Sequence, residues 1–302
     1  MADGSRLAGP LGPGSVVRVL RAADGVRLRL ALREGGARGV ALVLPGRAEF
    51  AEKYAPVAEA LAQRGFSVAV LDWRGQGGSQ RLLPDPRRGH VRDFAEYRRD
   101  LGAALAETGP ATLVISHSMG GAVALRALLD GALAAPAVVF SAPMWAIALG
   151  AAKWRAAVAL ARGAVRLGFG GRYVPGEGPA PYAATVAAPN LLTGDPAQAA
   201  WMAALVAAHP DLALGGPTLG WLDAAFREMA ALAPLPLDRP ARIVAGDADA
   251  VTSVAAMQAR ARRDGLTMTT VAGGRHELMF ETPPLRAAFW AAVDAELAAR
   301  GV

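Results

Sequence analysis

Short apolar runs alternate with longer segments of helical character along most of the chain. The mostly apolar runs lie at 40–44, 67–71, 111–115, 137–140 and 241–245. Runs of this length are typical of strands that are buried on both faces of a parallel sheet. Segments rich in alanine and leucine predict the intervening helices at 54–64, 94–106 and 119–129. Together with an antiparallel hairpin predicted around Asp24-Gly25, this pattern indicates an α/β protein with a mostly parallel sheet.

The run at 111–115 ends in Ser116-His117-Ser118-Met119-Gly120, and a helix-forming segment follows directly. A buried strand, a tight turn of the form small-x-Ser-x-small and a helix make up the nucleophile elbow of α/β-hydrolases. Ser118 is therefore the predicted nucleophile, and Ser116 stands where glycine is usual. Met119, at the start of the helix, is predicted to donate a backbone N–H to an oxyanion. His117 lies inside the elbow, so its side chain is expected to point away from Ser118.

A serine nucleophile needs a base, and the base needs an orienting acid. Of the four histidines, His276 follows a strand pattern and a glycine loop and precedes the last helical segment, where this fold places its base. The strand at 241–245 leads into Gly246-Asp247-Ala248-Asp249, and both carboxylates are candidates for the acid. Asp249 is preferred because the orienting acid normally lies a few residues past the strand end.

Two glycine-containing loops follow the strands at 40–44 and 67–71. In the first, Pro45 to Glu49, Arg47 is predicted to donate the second N–H of the oxyanion hole. The second, Asp72 to Ser79, lacks the Lys-Ser/Thr pair of a P-loop and the spacing of a dinucleotide fingerprint. It is interpreted as a structural loop beside the active site, and neither a cofactor nor a metal is expected.

These motifs occur together in one known group of enzymes. The chain resembles the bacterial lysophospholipase branch of the monoacylglycerol-lipase-like serine hydrolases in Pro45 to Glu49, Lys53-Tyr54, Asp72 to Gly77, Arg88 to Val91, Ser118 to Gly121 and Gly274 to Glu277. The resemblance implies the α/β-hydrolase fold, a mostly parallel eight-stranded sheet with helices on both faces and a helical cap inserted after the sixth strand. By the family pattern, Ser118, Asp249 and His276 form the catalytic triad, and Arg47 and Met119 form the oxyanion hole.

The segment between the sixth and seventh predicted strands has many alanines and few β-branched residues, which predicts a helical cap. The expected division is 1–140 for the first part of the core, 141–236 for the cap and 237–302 for the second part of the core. Four of the six tryptophans lie in the cap and are candidates for lining an acyl-chain pocket, namely Trp145, Trp154, Trp201 and Trp221. They could equally pack the cap helices against each other and against the core.

Composition and charge bear on partners and location. The 302 residues include no cysteine and 53% hydrophobic residues, which excludes disorder, disulfides and thiolate metal sites. The net charge of +6 arises within residues 1–100 and suits either an anionic membrane surface or ordinary solvated arginines, while no nucleic-acid-binding pattern accompanies it.

Met1 to Arg6 contain no apolar signal core, so a cytoplasmic location is expected, with peripheral membrane contact left open. The uncharged stretch at 131–152 is broken by prolines and is interpreted as a buried strand rather than a membrane span.

Several functions remain open at this point, and the oligomeric state is not predicted. The first is hydrolysis, through an acyl-enzyme, of a single-chain lipid ester of the lysophospholipid or monoacylglycerol type. The second is an aminopeptidase-like peptidase, or a hydrolase of small esters or lactones, on the same fold. An aminopeptidase needs cap carboxylates to hold the substrate's ammonium group, and the cap contains two glutamates, Glu177 and Glu228. A non-catalytic binding module is disfavoured because all three triad residues are present.

Overall fold

The computed structural model describes residues 9–181 and 190–302. Met1 to Arg6, on which the expected location depends, lie outside these residues. An eight-stranded sheet consists of β1 (Val16–Arg21), β2 (Arg27–Arg33), β3 (Val40–Leu44), β4 (Ser67–Asp72), β5 (Leu113–His117), β6 (Ala137–Ser141), β7 (Arg242–Gly246) and β8 (Thr267–Val271). The strand order is β1-β2-β4-β3-β5-β6-β7-β8, with β2 antiparallel to both of its neighbours and every other pair parallel. The predicted α/β class and mostly parallel sheet are confirmed.

Helices follow the strands as the alternation predicts. They are α1 (Ala55–Gln63), α2 (Ala95–Thr108), α3 (Met119–Leu129), α4 (Ala151–Arg166), α5 (Pro196–Ala208), α6 (Leu219–Leu232), α7 (Val254–Asp264) and α8 (Pro283–Arg300), with short 3-10 helices at Ala51–Tyr54 and Leu278–Phe280. The bounds of α3 agree with the prediction. The end of α2 lies two residues later than predicted, because the helix stops at Gly109, whose φ is 71°.

The central strands are buried on both faces, which explains their uninterrupted apolar character. All five residues of β5 are buried. Leu42 and Val114 belong to the core on the side of α2, α3 and α6, whereas Val43 and Ile115 belong to the core on the side of α1 and α8. The functional loops therefore emerge at the carboxyl ends of strands that are fixed from both sides.

The segment between β6 and β7, called the insert here, contains α4, α5 and α6. Within it, the rings of Trp154 on α4 and Phe226 on α6 lie 4.7 Å apart. α6 also contacts the core, because Trp221 Nε1 donates a hydrogen bond to the Tyr97 hydroxyl at 3.1 Å. The helical character expected of the insert is present, while its division as a separate cap over 141–236 stays a prediction. In the two described ranges, no helix is both long enough and apolar enough to cross a bilayer.

Candidate active site

Ser118 lies at the sharp turn between β5 and α3. Its backbone has φ 50° and ψ −116°, a conformation that residues other than glycine rarely adopt and that is typical of a nucleophile elbow. Its N–H donates to the Ser141 carbonyl at 3.1 Å, and its own carbonyl accepts the N–H of Met144 at 2.8 Å. A Cβ on Gly120 would collide with the carbonyl oxygen of Leu44, so glycine is required there. The strained turn is thus held by β6 and by close packing against β3.

Ser116, which stands where glycine is usual, lies inside the sheet. It is fully buried between Leu44 of β3 and Phe140 of β6. Its hydroxyl has no hydrogen-bond partner in the described part of the chain. The departure from the usual motif therefore places an unsatisfied hydroxyl in the core and leaves the turn at Ser118 intact.

The loops after β7 and β8 bring Asp249 and His276 together. His276 Nδ1 lies 2.9 Å from Asp249 Oδ2, and both residues are buried. The same carboxylate accepts the backbone N–H and the hydroxyl of Thr252 at 3.0 and 2.7 Å. Burial favours the neutral form of Asp249, but the hydrogen bonds from His276 and Thr252 outweigh it and lower its pKa to about 2. The other candidate, Asp247, is exposed and accepts the N–H of Gly273 at 2.7 Å.

Residues 45–49, called the β3 loop here, pack against the elbow. A Cβ on Gly46 would lie 3.2 Å from the Cβ of Ser118. The glycine-rich loop after β4 fixes this arrangement through two buried side chains. Trp73 Nε1 donates to the first carbonyl of the β3 loop at 2.8 Å, and Gln76 Nε2 donates to the Gly46 carbonyl at 2.8 Å. These contacts agree with the interpretation of the glycine-rich loop as a structural element beside the site.

The two predicted oxyanion donors come from the elbow and from the β3 loop. Met119 is the first residue of α3, where backbone N–H groups have no partner within the helix. Arg47 lies in the β3 loop and lines the same cavity as Ser118. Its side chain reaches the insert, because Nη2 donates to the Gly215 carbonyl at 2.7 Å and the guanidinium lies 5.2 Å from the ring centre of Trp221.

A buried cluster of polar side chains, which the sequence did not predict, adjoins these residues. Its members are Glu49, Lys53, Tyr54, His117 and Glu277. Lys53 Nζ lies 2.6 Å from carboxylate oxygens of both Glu49 and Glu277, and the Tyr54 hydroxyl donates to Glu49 at 2.6 Å. The rings of His117 and His276 are 4.7 Å apart, and both line the cavity with Ser118. That the His117 side chain points away from Ser118 stays a prediction, but the sequence did not indicate that His117 lines the cavity.

Opposite charges compensate each other within this buried cluster. Burial opposes ionisation of Glu49, but Lys53 outweighs it and lowers the Glu49 pKa to about 2. Burial also opposes the charge of Lys53, yet Glu277 and Glu49 raise its pKa, while burial lowers the pKa of His117 to about 3. Glu49, His117 and Glu277 offer ligand atoms within 4.8 Å of one another, as a metal site would. The ammonium of Lys53 already binds one oxygen of each carboxylate, so an internal cation compensates their charge.

Ser118, His276 and the members of the polar cluster other than Tyr54 line a cavity of about 250 Å³. The remaining lining is mainly apolar and comes largely from the insert, including Met144, Ile147, Met202, Val206, Trp221 and Leu222. A few polar side chains beside a mainly apolar space are typical of a site that binds a small molecule with a polar and an apolar part.

The four candidate tryptophans have different environments. Trp221 lines the cavity. Trp145 packs on Phe140, Trp154 packs on Phe226 and Trp201 packs on Phe280, with ring centres 5.0, 4.7 and 6.1 Å apart. The contacts of these last three residues are those of packing side chains, the alternative that the sequence left open.

Comparison with known sequences identifies the family. Residues 35–283 match the family described as serine aminopeptidase, S33. Lysophospholipase L2 of Escherichia coli (strain K12) is 30% identical over 282 residues, which cover 84% of this chain and 79% of that protein. These matches extend across the core and the insert alike.

Solved structures with low sequence identity show the same fold. A soluble variant of the monoglyceride lipase from Saccharomyces cerevisiae, in complex with a substrate analogue, matches with a TM-score of 0.74 at 17% identity, covering 94% of this chain and 97% of that one. A thermostable carboxyl esterase from Bacillus coagulans matches with a TM-score of 0.75 at 15% identity, covering 96% and 99%. The resemblance inferred from the motifs is confirmed, and the chain belongs to the serine aminopeptidase (S33) family of α/β-hydrolases as a relative of lysophospholipase L2.

Proposed function

We propose that this protein is a serine hydrolase that cleaves single-chain carboxylic esters of lipids, of the lysophospholipid or monoacylglycerol type. The observation that carries the proposal is the cavity, in which an elbow serine and an Asp-paired histidine face a mainly apolar space. Two relatives support the same class, since one is named lysophospholipase L2 and another is a monoglyceride lipase. The proposed reaction uses side chains and water and needs no cofactor.

In the proposed mechanism, Ser118 Oγ attacks the ester carbonyl while His276 accepts its proton. Asp249 orients His276 and stabilises the imidazolium that forms. The backbone N–H groups of Met119 and Arg47 bind the developing oxyanion. His276 then returns the proton to the departing alcohol, and a water molecule hydrolyses the acyl-enzyme by the same route.

The acyl chain, in this proposal, lies under a cap formed by residues 141–236. With p-nitrophenyl esters of increasing length, kcat/KM is expected to rise over several carbons, because each buried methylene contributes about 0.8 kcal/mol that the transition state can use. Leu222→Trp narrows the cavity and is expected to end this rise at a shorter chain, with acetate turnover unchanged. Leu235→Trp, at a residue that is 36% exposed after α6 and does not line the cavity, is the matched control. A profile already maximal at two carbons contradicts the lipid proposal and favours a small-ester or lactone hydrolase.

An aminopeptidase-like activity is the second candidate, and one observation favours it. Glu177, a glutamate of the insert, lines the cavity and could bind a substrate ammonium group. The other, Glu228, forms an ion pair with Arg126 at 2.9 Å. An aminoacyl-arylamide measured beside the ester series decides between the two functions. A higher kcat/KM for the arylamide than for every ester, lost in Glu177→Gln and kept in Glu228→Gln, contradicts the lipid-ester proposal.

We further propose that the protein contacts anionic membranes peripherally, from the cytoplasmic side, through α4 and the turn after it. The basic stretch at 81–99 is largely engaged within the protein, through Arg81 with the Asp211 carbonyl, Arg88 with Asp85, Arg98 with Asp130 and Arg99 with Asp24. Residues 151–172 instead contain five basic and no acidic residues. In this segment Leu160, Leu167 and Phe169 are 48%, 73% and 44% exposed. Exposed apolar side chains among basic ones are typical of helices that lie on a bilayer surface.

Vesicle flotation tests this contact. We expect the protein to float with vesicles that contain phosphatidylglycerol and to bind zwitterionic vesicles much more weakly, because the attraction depends on anionic lipid. Leu167→Glu with Phe169→Glu is expected to reduce binding about tenfold or more, since both apolar contacts are lost. Val17→Glu with Val19→Glu, at residues that are 43% and 64% exposed on β1, is the matched control. Equal binding of both double variants would place the contact elsewhere.

A further inference from the structure

One buried lysine joins the two loops that carry proposed catalytic groups. Lys53 Nζ lies 2.6 Å from Glu49 Oε1, at the end of the β3 loop, and 2.6 Å from Glu277 Oε1, directly after His276. In the sheet, β5, β6 and β7 lie between β3 and β8, so these loops have no shared strand pairing. We propose that Lys53 is a positioning residue that fixes the oxyanion donor of the β3 loop relative to His276. This inference rests on the proposed serine-esterase function.

On one side, the bridge determines the shape of the β3 loop. Glu49 Oε2 accepts the Gly46 N–H and, at 2.6 Å, the Tyr54 hydroxyl, while Oε1 binds Lys53. Ala48, within the same loop, has a φ of 65°, a conformation that a side chain disfavours and that the surrounding contacts must maintain. The Glu49 side chain therefore closes a strained turn through the Gly46 N–H, and Lys53 and Tyr54 fix its carboxylate.

On the other side, the bridge fixes the chain next to the proposed base. The N–H of Glu277 donates to the Leu192 carbonyl at 2.8 Å, which anchors its backbone to the insert. Glu277 is 3% exposed, and its Oε2 has no hydrogen-bond partner among residues 9–181 and 190–302. The Glu277 carboxylate thus depends on Lys53 at Oε1. Without that ammonium, two buried carboxylates from different loops face each other with no positive charge between them and repel.

The expected consequence of losing the bridge is a misaligned site in a folded protein. Lys53→Met is expected to lower kcat for p-nitrophenyl butyrate about 10²-fold, because a displacement of about 1 Å in a catalytic constellation has an effect of that size. KM should stay within about threefold, since ground-state binding in the apolar part of the cavity is retained. Removing the second charge relieves the repulsion, so Lys53→Met with Glu277→Gln should recover about tenfold of the lost kcat.

Arg260→Met is the matched control, since Arg260 is also buried and paired, with Asp264 at 2.9 Å, but does not line the cavity. Its kcat should stay near that of the wild type at a temperature where thermal melts show all variants folded. An unchanged kcat in Lys53→Met, or a raised KM at normal kcat, would overturn the inference. If Lys53→Met does not fold, the double variant Lys53→Met with Glu277→Gln is measured instead. A kcat equal to that of the wild type in this double variant would overturn the inference, because it too lacks the bridge. Failure of the serine-esterase chemistry is distinct, since the wild type itself would then not hydrolyse p-nitrophenyl butyrate, whereas a preference for short esters leaves this test intact.

Discussion

Ser118→Ala is expected to lower kcat for ester hydrolysis by about three decades or more, because losses of a triad nucleophile have that size. The reason is chemical, since alanine cannot form the acyl-enzyme, while the elbow itself is held by backbone hydrogen bonds and by the close approach of Gly120 to Leu44. A fluorophosphonate probe should label the wild type covalently and leave the variant unlabelled. Mass spectrometry of the labelled protein checks that the adduct is on Ser118.

Ser116→Ala is the matched control for this experiment. It removes a serine hydroxyl two residues earlier, on β5, from a fully buried position where that hydroxyl has no partner in the described structure. Probe labelling and kcat should therefore remain within a few-fold of the wild type, and stability should not fall. Equal labelling of Ser118→Ala and the wild type would exclude Ser118 as the nucleophile.

Asp249→Asn is expected to lower kcat about 10⁴-fold, because an amide cannot hold the imidazole in the required tautomer or stabilise its protonated form. The geometry behind this expectation is the 2.9 Å contact between Asp249 Oδ2 and His276 Nδ1. With its pKa lowered to about 2, Asp249 remains ionised at any pH at which esterases are assayed. Steady-state kinetics on a short-chain ester measure the loss without interference from the acyl pocket.

Asp247→Asn provides the comparison, since it makes the same chemical change two residues away. Asp247 is exposed and bonds the N–H of Gly273, a contact that the asparagine side-chain oxygen can keep. Its kcat should therefore stay within about tenfold of the wild type, as expected of a residue outside the triad. The reverse ranking of the two variants would transfer the role of the acid to Asp247.

The sequence predicts those parts of this protein whose structure depends on residues that are close together in the chain. The strand predicted at 111–115, which the structure places at Leu113–His117, and the helix at 119–129 could be predicted because strand, turn and helix are contiguous. The turn at Ser118 also requires small neighbours. Within the elbow, the sequence did not show that His117 lines the cavity. Its placement depends on Glu49 and His276, which come from loops far away in the chain.

The sequence did not predict the polar cluster, for a related reason. Lys53 and Glu277 are 224 residues apart, and nothing in their local sequence shows that they form an ion pair. Both residues lie within motifs that carry the family resemblance, Lys53-Tyr54 and Gly274 to Glu277. Their position in these motifs was the one sign in the sequence that they have a role at the site. The cap tryptophans illustrate the same limit, because composition alone could not distinguish Trp221 in the cavity wall from Trp154 between two helices.

Arg47 has a further consequence for changing this protein by design. Its proposed catalytic contribution comes from the backbone, which every amino acid except proline supplies. Its side chain instead contacts the Gly215 carbonyl and the ring of Trp221 in the insert. Substitution at residue 47 can therefore alter how the insert sits on the site while the reacting groups are retained. A saturation library at this one position is an economical starting point for directed evolution of new acyl preferences.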